Sequence, residues 1–190
     1  GYTIKGLYHY NDERVGELDH GYPIIGSFND LFSLNSLEGM SFALSQGDNK
    51  MRATIFEKIV EKKGSVPTLI HPSANVSKYA QLGRGVVVHM NTVVHPDVTV
   101  GDNTVLSYNV SVTHSTHIGK NCYLAFGVML GAYTIVEDFV FIGIGAIVIS
   151  GKVDSIGTFA SIGAGAVVTK SVASYECVAG NPAKFIKTLK

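Results

Sequence analysis

Residues 100–124, VGDNTVLSYNVSVTHSTHIGKNCYL, return to an aliphatic side chain at every sixth position: Val100, Leu106, Val112, Ile118 and Leu124. The frame runs back through Val94, Val88, Leu82, Val76 and Ile70, and forward through Leu130, Val136, Ile142 and Val148. It slips by two residues at Gly151-Lys152-Val153-Asp154-Ser155, which implies a longer corner, and resumes at Ile156, Ile162 and Val168. Four residues after each head stands a second small or β-branched side chain, such as Ala74, Ala80, Val86, Thr92, Cys122 and Val128, with Lys152 the exception. Neither the two-residue period of a strand nor the 3.6-residue period of a helix sustains that spacing over Ile70 to Ala173. Short strands separated by regular corners do, each hexad forming one flat side of a coil.

A chain of 190 residues has room for one or two domains, and the repeat occupies more than half of it. Lys and Arg number 15 against 15 Asp and Glu, so no net field is available to hold nucleic acid or an anionic membrane. Cys122 falls on an inward position of the repeat and Cys177 in the tail, which makes no disulfide framework and points to a reducing cytoplasm. No apolar run is long enough to span a membrane, and no signal peptide is recognisable.

Residues 1–69 read as α/β. Thr3 to Tyr8 and Met40 to Leu44 are strand candidates, and Tyr22 to Ser27 opens a turn and helix. Asp48 or Asn49 starts an amphipathic helix over Met51 to Val60, with Met51, Ile55 and Ile59 along one face.

Ile118-Gly119-Lys120-Asn121-Cys122 and Ile162-Gly163-Ala164-Gly165-Ala166 resemble the hexapeptide repeat of the left-handed parallel β-helix acyltransferases. Gly47-Asp48-Asn49-Lys50-Met51-Arg52 and Leu69-Ile70-His71-Pro72-Ser73-Ala74 narrow the resemblance to the sugar acetyltransferases that modify sialic acids or nucleotide-linked 4-amino sugars. The resemblance spans nearly the whole chain. It implies a mainly β fold in which three hexads make a triangular coil, so that residues 18 apart stack. Residues 70–190 would form the left-handed β-helix, and 1–69 a small Rossmann-like α/β domain for the sugar nucleotide. The family's opening strand and glycine-rich turn would lie before Gly1, so roughly one βα unit is expected to be missing. Ala179-Gly180-Asn181-Pro182-Ala183-Lys184 resembles the family's closing signature and predicts a short C-terminal helix, with Asn181 as N-cap and Pro182 at the first helical position.

The same resemblance implies acetyl-CoA as co-substrate, held in a groove between two solenoids of a homotrimer, and a sugar as acceptor. Thr113-His114-Ser115-Thr116-His117-Ile118-Gly119 matches the segment whose histidine, here His114, is the general base. Read alone, one of seven histidines is more often a surface residue; the motif context favours catalysis. Where the family has an acidic neighbour this chain has Ser115, and one coil below Ser115 lies Asp97, a candidate replacement for the missing carboxylate or simply a corner residue. Tyr123 falls where the family can carry a second histidine near the thioester. Ala132 falls at a glycine whose backbone N–H faces the thioester oxygen, and Ile144 and Ala164 at further coenzyme A contacts. His9, Tyr10, Asn11 and Asp12 stand where the family usually places paired aspartates against the nucleotide, a departure that leaves the sugar nucleotide open.

Two structural readings need no ligand. His71 and His89 stack one coil apart with His95 a hexad on, but no third ligand shares their face, so no metal site is expected. Asn91 and Asn109 stack as an asparagine ladder. Two other functional readings compete with amino-sugar N-acetylation: O-acetylation of a sialic acid or related sugar, and a β-helix serving only as a non-catalytic scaffold.

Overall fold

The computed structural model describes residues 2–189. From Leu69–Ile70 to Val167–Val168 the chain forms a succession of two-residue parallel strands, each ending on a head of the repeat. They stack into three sheets, the sides of a left-handed β-helix. Ser111–Val112 pairs with Met129–Leu130, His117–Ile118 with Ile135–Val136, and Tyr123–Leu124 with Phe141–Ile142, each pair one 18-residue coil apart.

Heads and the residues four further on both point inward. Leu106, Val110, Val112, Leu124, Val128 and Ile142 are fully buried, in one continuous core. Where Thr takes the second inward position its hydroxyl needs an internal partner. Thr92 Oγ1 donates to Ser107 O at 2.6 Å, Thr104 Oγ1 to Gly119 O at 2.8 Å, and Thr116 Oγ1 to Gly131 O at 3.1 Å. From Gly85 onward most corners turn through a left-handed residue. Asn91, Asp97, Asn103, Asn109, Ser115 and Asn121 all have φ of 57–58°, a conformation that short polar side chains tolerate better than most. The hydrogen-bonded asparagine ladder is Asn103 to Asn121, Nδ2 to Oδ1 at 2.7 Å, rather than Asn91 with Asn109.

The frame slip is a longer corner, as the sequence implies. Ile135 pairs with Ser155, Phe141 with Ser161 and Ile147 with Val167, two residues more than a coil. Val153, 2% exposed, fills the inward place there, and Lys152 is exposed.

The tail departs from expectation: among the described residues no C-terminal helix forms. Glu176–Ala179 adds one more rung, with Cys177 on Ser161 and Val178 on Ile162. Lys184–Thr188 then folds back antiparallel against it. That rung presents an open ladder of N–H and C=O groups, and a returning strand satisfies them where a helix could not. Asn181 and Pro182 serve the turn, next to Gly180 at φ +98°.

Contacts divide the chain into Gly1–Ser41 with Glu57–Ser65, and Phe42–Phe56 with Val66–Lys190, so no single cut at 69/70 separates the units. In the smaller unit β1 (Leu7–His9), β2 (Leu18–Asp19) and β3 (Tyr22–Ser27) form a sheet in the order β1-β3-β2, with β1 parallel and β2 antiparallel to β3. Tyr22 to Ser27 is therefore a strand. Ser27 ends it and caps helix α1 (Phe28–Ser33) through a reciprocal capping box with Asp30. Met40 to Leu44 forms no strand; its pairing is one bridge, Ser41 to Ser65. Helix α2 spans Asn49–Glu61, its start fixed by Asp48, whose Oδ1 accepts the Met51 N–H at 2.7 Å. The buried face of α2 carries Arg52, Ile55, Phe56 and Ile59, while Met51 is 50% exposed.

Candidate active site

The corner that follows the Ser111–Val112 strand gathers His114, Ser115, Asp97 and Ala132. Because the coils stack in register, Pro96, His114 and Ala132 occupy one column of this corner and Asp97, Ser115 and Tyr133 the next. The Ser115 N–H donates to Pro96 O at 3.3 Å, tying the two levels together. His114 is half-buried. Its Nδ1 lies 3.3 Å from Ser115 Oγ, and its ring meets that of Tyr133 edge to face, centroids 5.2 Å apart and planes at 87°. Among the described residues no hydrogen bond joins Asp97 to His114, and Nε2 of His114 has no partner.

One coil above His114, Ala132 is 4% exposed, and among the described residues its N–H donates to no backbone carbonyl. The corner there admits nothing larger than Gly131 before it, since a Cβ on Gly131 would meet Ser150 N at 2.5 Å.

The other predicted residues lie on different edges of the prism. Ile144 and Ala164 follow strands of the eight-stranded sheet, in one column with Phe126. Beside them runs a column of left-handed glycines, Gly127, Gly145 and Gly165, at φ 68°, 65° and 65°. A Cβ on Gly145 or Gly165 would meet nothing within 4 Å, so the glycines answer the backbone angle and leave an open lane along the corner. Tyr123 points outward from the same sheet, stacked on Phe141 with centroids 5.9 Å apart. Behind it lies Arg52, 1% exposed, whose guanidinium carbon is 5.9 Å from the ring centroid. Burial lowers the Arg52 pKa to about 10. The structure thus unites His114, Ser115, Asp97 and Ala132, and leaves Tyr123, Ile144 and Ala164 apart from them within one chain. Tyr133 and Arg52 were not among the predicted site residues. The 18-residue spacing places Tyr133 above Ser115 but not its ring against His114, and nothing in the repeat signalled Arg52.

In the smaller unit, His9 to Asp12 form a compact turn at the end of β1. His9 Nδ1 accepts the Asn11 N–H at 3.0 Å, the His9 and Tyr10 rings stack at 4.4 Å, and Asn11 Oδ1 accepts the Glu13 N–H at 3.0 Å. Asp12 opens the short 3-10 turn Asp12–Arg14.

Elsewhere His71 Nδ1 is 2.9 Å from Ser73 Oγ and His89 packs on Tyr108, and among the described residues no group of three His, Cys, Asp or Glu side chains comes together to hold a metal. Burial, the largest cause, and His71 depress the pKa of His89. No helix among the described residues is long and apolar enough to cross a membrane.

This architecture defines a hexapeptide transferase, and residues 79–114 match the family model for the bacterial transferase hexapeptide (six repeats). Among solved structures, the acetyltransferase domain of PglB from Neisseria gonorrhoeae FA1090, in complex with acetyl coenzyme A, is 31% identical over 92% of this chain and 84% of that one, with a TM-score of 0.84. A point mutant of GDP-perosamine N-acetyltransferase from Caulobacter crescentus, in complex with CoA and GDP-perosamine, is 30% identical over 88% and 79%, with a TM-score of 0.83. WeeI from Acinetobacter baumannii AYE shares the fold at 24% identity, covering 95% and 85%, with a TM-score of 0.86. No curated protein sequence matches. The chain belongs to the hexapeptide-repeat sugar acetyltransferase family, and is an acyltransferase.

Proposed function

We propose that this protein transfers the acetyl group of acetyl-CoA to the amine of a nucleotide-linked amino sugar. The observation that carries the reading is the His114 corner: a half-buried imidazole whose Nε2 is unengaged among the described residues, and one coil above it an N–H, that of Ala132, with no backbone acceptor among them.

In this reading the amine nitrogen attacks the thioester carbonyl and forms the new N–C bond; the tetrahedral oxyanion then collapses, the C–S bond breaks, and coenzyme A leaves as the thiol, taking the proton that His114 had accepted. His114 Nε2 takes the proton the amine sheds, and the Ala132 N–H stabilises the oxyanion that develops between the two events. Ser115 Oγ beside Nδ1 helps to hold the ring, and Asp97 adds negative charge from the coil below. No covalent enzyme intermediate is needed, because both substrates react directly in one ternary complex.

The open glycine lane beside Ile144 and Ala164 suits a long flexible ligand, and there we place the coenzyme A arm, with Tyr123 near the thioester. Since one chain holds these residues and His114 on different edges, a complete site needs a second copy, which favours the homotrimer. The smaller unit, read as Rossmann-like, takes the nucleotide end of the acceptor at the carboxyl end of β1, through His9, Tyr10, Asn11 and Asp12.

The test is coenzyme A release from acetyl-CoA in the presence of a panel of UDP- and GDP-linked 4-amino sugars and of sialic acids, with mass spectrometry of the product. The expected product carries an acetyl group that survives mild alkali. An alkali-labile acetyl group on a sialic acid would replace this reading with O-acetylation, and absence of release with every acceptor would leave the scaffold reading.

A further inference from the structure

Tyr133 stands in the left-handed corner position one coil above Ser115, which is itself one coil above Asp97. The three residues have φ of 58°, 57° and 61° in chain order. Phe139, Phe159 and Tyr175 take the same conformation at φ 60°, 59° and 63°, but those three rings stack on one another, whereas Tyr133 stands apart from that stack. Tyr133 is 68% exposed, so burial of its ring does not explain its presence. What the ring does touch is His114, edge to face, at a centroid separation of 5.2 Å and an interplanar angle of 87°.

The other support available to His114 is slight. Ser115 Oγ at 3.3 Å from Nδ1 is a long contact for a hydroxyl, and it comes from the neighbouring residue. A histidine that must take a proton from an attacking nucleophile has to present one ring nitrogen in a fixed direction. Edge-to-face packing restrains rotation about the bond to the ring even though it cannot choose the tautomer.

We infer that Tyr133 is a positioning residue of this site, holding the His114 ring against rotation in the place where Ser115 supplies no carboxylate. The inference rests on the reading of His114 as general base, and it concerns the orientation of that base alone. Tyr133 touches neither substrate in this assignment, so its removal acts on kcat and leaves KM for both substrates near the native value.

The experiment compares the native protein with Tyr133→Phe, Tyr133→Leu and the double variant Tyr133→Leu/Ser115→Asp. Two readouts are taken: steady-state kinetics, and the rate at which diethyl pyrocarbonate modifies His114, followed by peptide mass spectrometry. Tyr133→Phe keeps the ring and is expected to match the native protein in both. Tyr133→Leu is expected to lower kcat by roughly two- to tenfold, the range over which an edge-to-face contact translates into rate, and to speed labelling of His114. Ser115→Asp restores a neighbouring acceptor for the imidazole N–H at a corner where Asp is at ease, as Asp97 shows, and is expected to recover much of the lost kcat. Unchanged labelling of His114 in Tyr133→Leu overturns the inference whatever the activity. Faster labelling with an unchanged kcat, or a loss confined to KM for the acceptor, also overturns it, the latter marking Tyr133 as a substrate platform. A native protein that acetylates no sugar sinks the proposed reaction, and the labelling comparison then decides by itself whether Tyr133 restrains the ring.

Discussion

Asp97 and Ser115 occupy the same left-handed corner position on successive coils, and the Ser115 N–H is bonded to the carbonyl of Pro96 immediately before Asp97. The carboxylate that this chain lacks beside His114 is therefore present one level lower, exposed and without a hydrogen bond to the imidazole. His114→Ala should lower kcat by roughly 10²- to 10⁴-fold, the range for one general base, while acetyl-CoA binding and assembly persist. Asp97→Asn should cost less than about tenfold, and the cost should shrink at high salt because an exposed charge acts through solvent. Steady-state rates at low and high ionic strength check both, and a salt-independent loss in Asp97→Asn would show a direct contact instead.

Phe126 is 45% exposed and Ile144 55%, in one apolar column with Met90 at 41% further down the solenoid. Such a column on a side of a stacked coil is what a neighbouring copy would cover. Light scattering at micromolar concentration should report a trimer, and Phe126→Asp should shift it toward monomer and abolish turnover together. A native monomer with full activity would rule out a shared site.

The repeat was legible because its cause is local: a side chain at every head either enters the core or breaks a coil. Val153 displaced Lys152 from the inward place because the two extra residues of the slip are absorbed within that corner, which a fixed frame of six cannot represent. The tail was misread because Asn181 and Pro182 satisfy both a helix start and a turn, and the deciding factor was the open edge of Glu176–Ala179, a tertiary feature. The four-residue spacing puts Met51 on one face of α2 with Ile55 and Ile59, whereas in the first turn the position that faces the coils is that of Arg52. Among the candidate site residues, the sequence singles out His114 by its motif. The contact with Tyr133 depends on a rotamer, which spacing does not encode.

Glu137 accepts both the Oγ1–H and the N–H of Thr158 on one carboxylate oxygen, each at 2.7 Å. These two bonds hold its pKa below the ordinary carboxylate value. A carboxylate whose folded pKa is depressed contributes stability above its unfolded pKa, and loses it as pH falls through the folded one. Glu137→Gln should therefore melt below the native protein at pH 7, and the two melting curves should converge as the pH drops beneath the native group's titration. Thermal melts across pH 7 to pH 2 check this, and a gap that persists at the acid end would assign the effect to packing.

Arg52 anchors the start of α2 to the coils. Its Nε donates to Asn103 O at 3.1 Å, and its terminal nitrogens donate to Asn121 O at 3.2 Å, Cys122 O at 3.0 Å, Gln46 O at 3.1 Å and Asn49 Oδ1 at 2.8 Å. Asn49 Nδ2 in turn donates to Phe139 O at 3.4 Å and Val140 O at 3.3 Å. The guanidinium is thus a planar fork that meets the carbonyls of successive coils, adding a second donor to Cys122 O, which already accepts the Val105 N–H, and supplying Asn103 O and Asn121 O. None of its partners is a carboxylate, which is why burial depresses its pKa to about 10 while leaving it charged at neutral pH. Arg52→Met keeps much of the length and apolar stem but takes the donor from Asn103 O, Asn121 O and Gln46 O, at a cost of roughly 2–4 kcal/mol and a fall in Tm of roughly 4–16 °C for a chain of this size. Arg52→Lys keeps the charge but cannot span the same set of acceptors, so it should recover only a small part of the loss. Differential scanning calorimetry of the three proteins decides between fork and charge. If Arg52→Lys melts with the native protein, a point charge suffices, and the multidentate geometry contributes nothing to holding α2 on the solenoid.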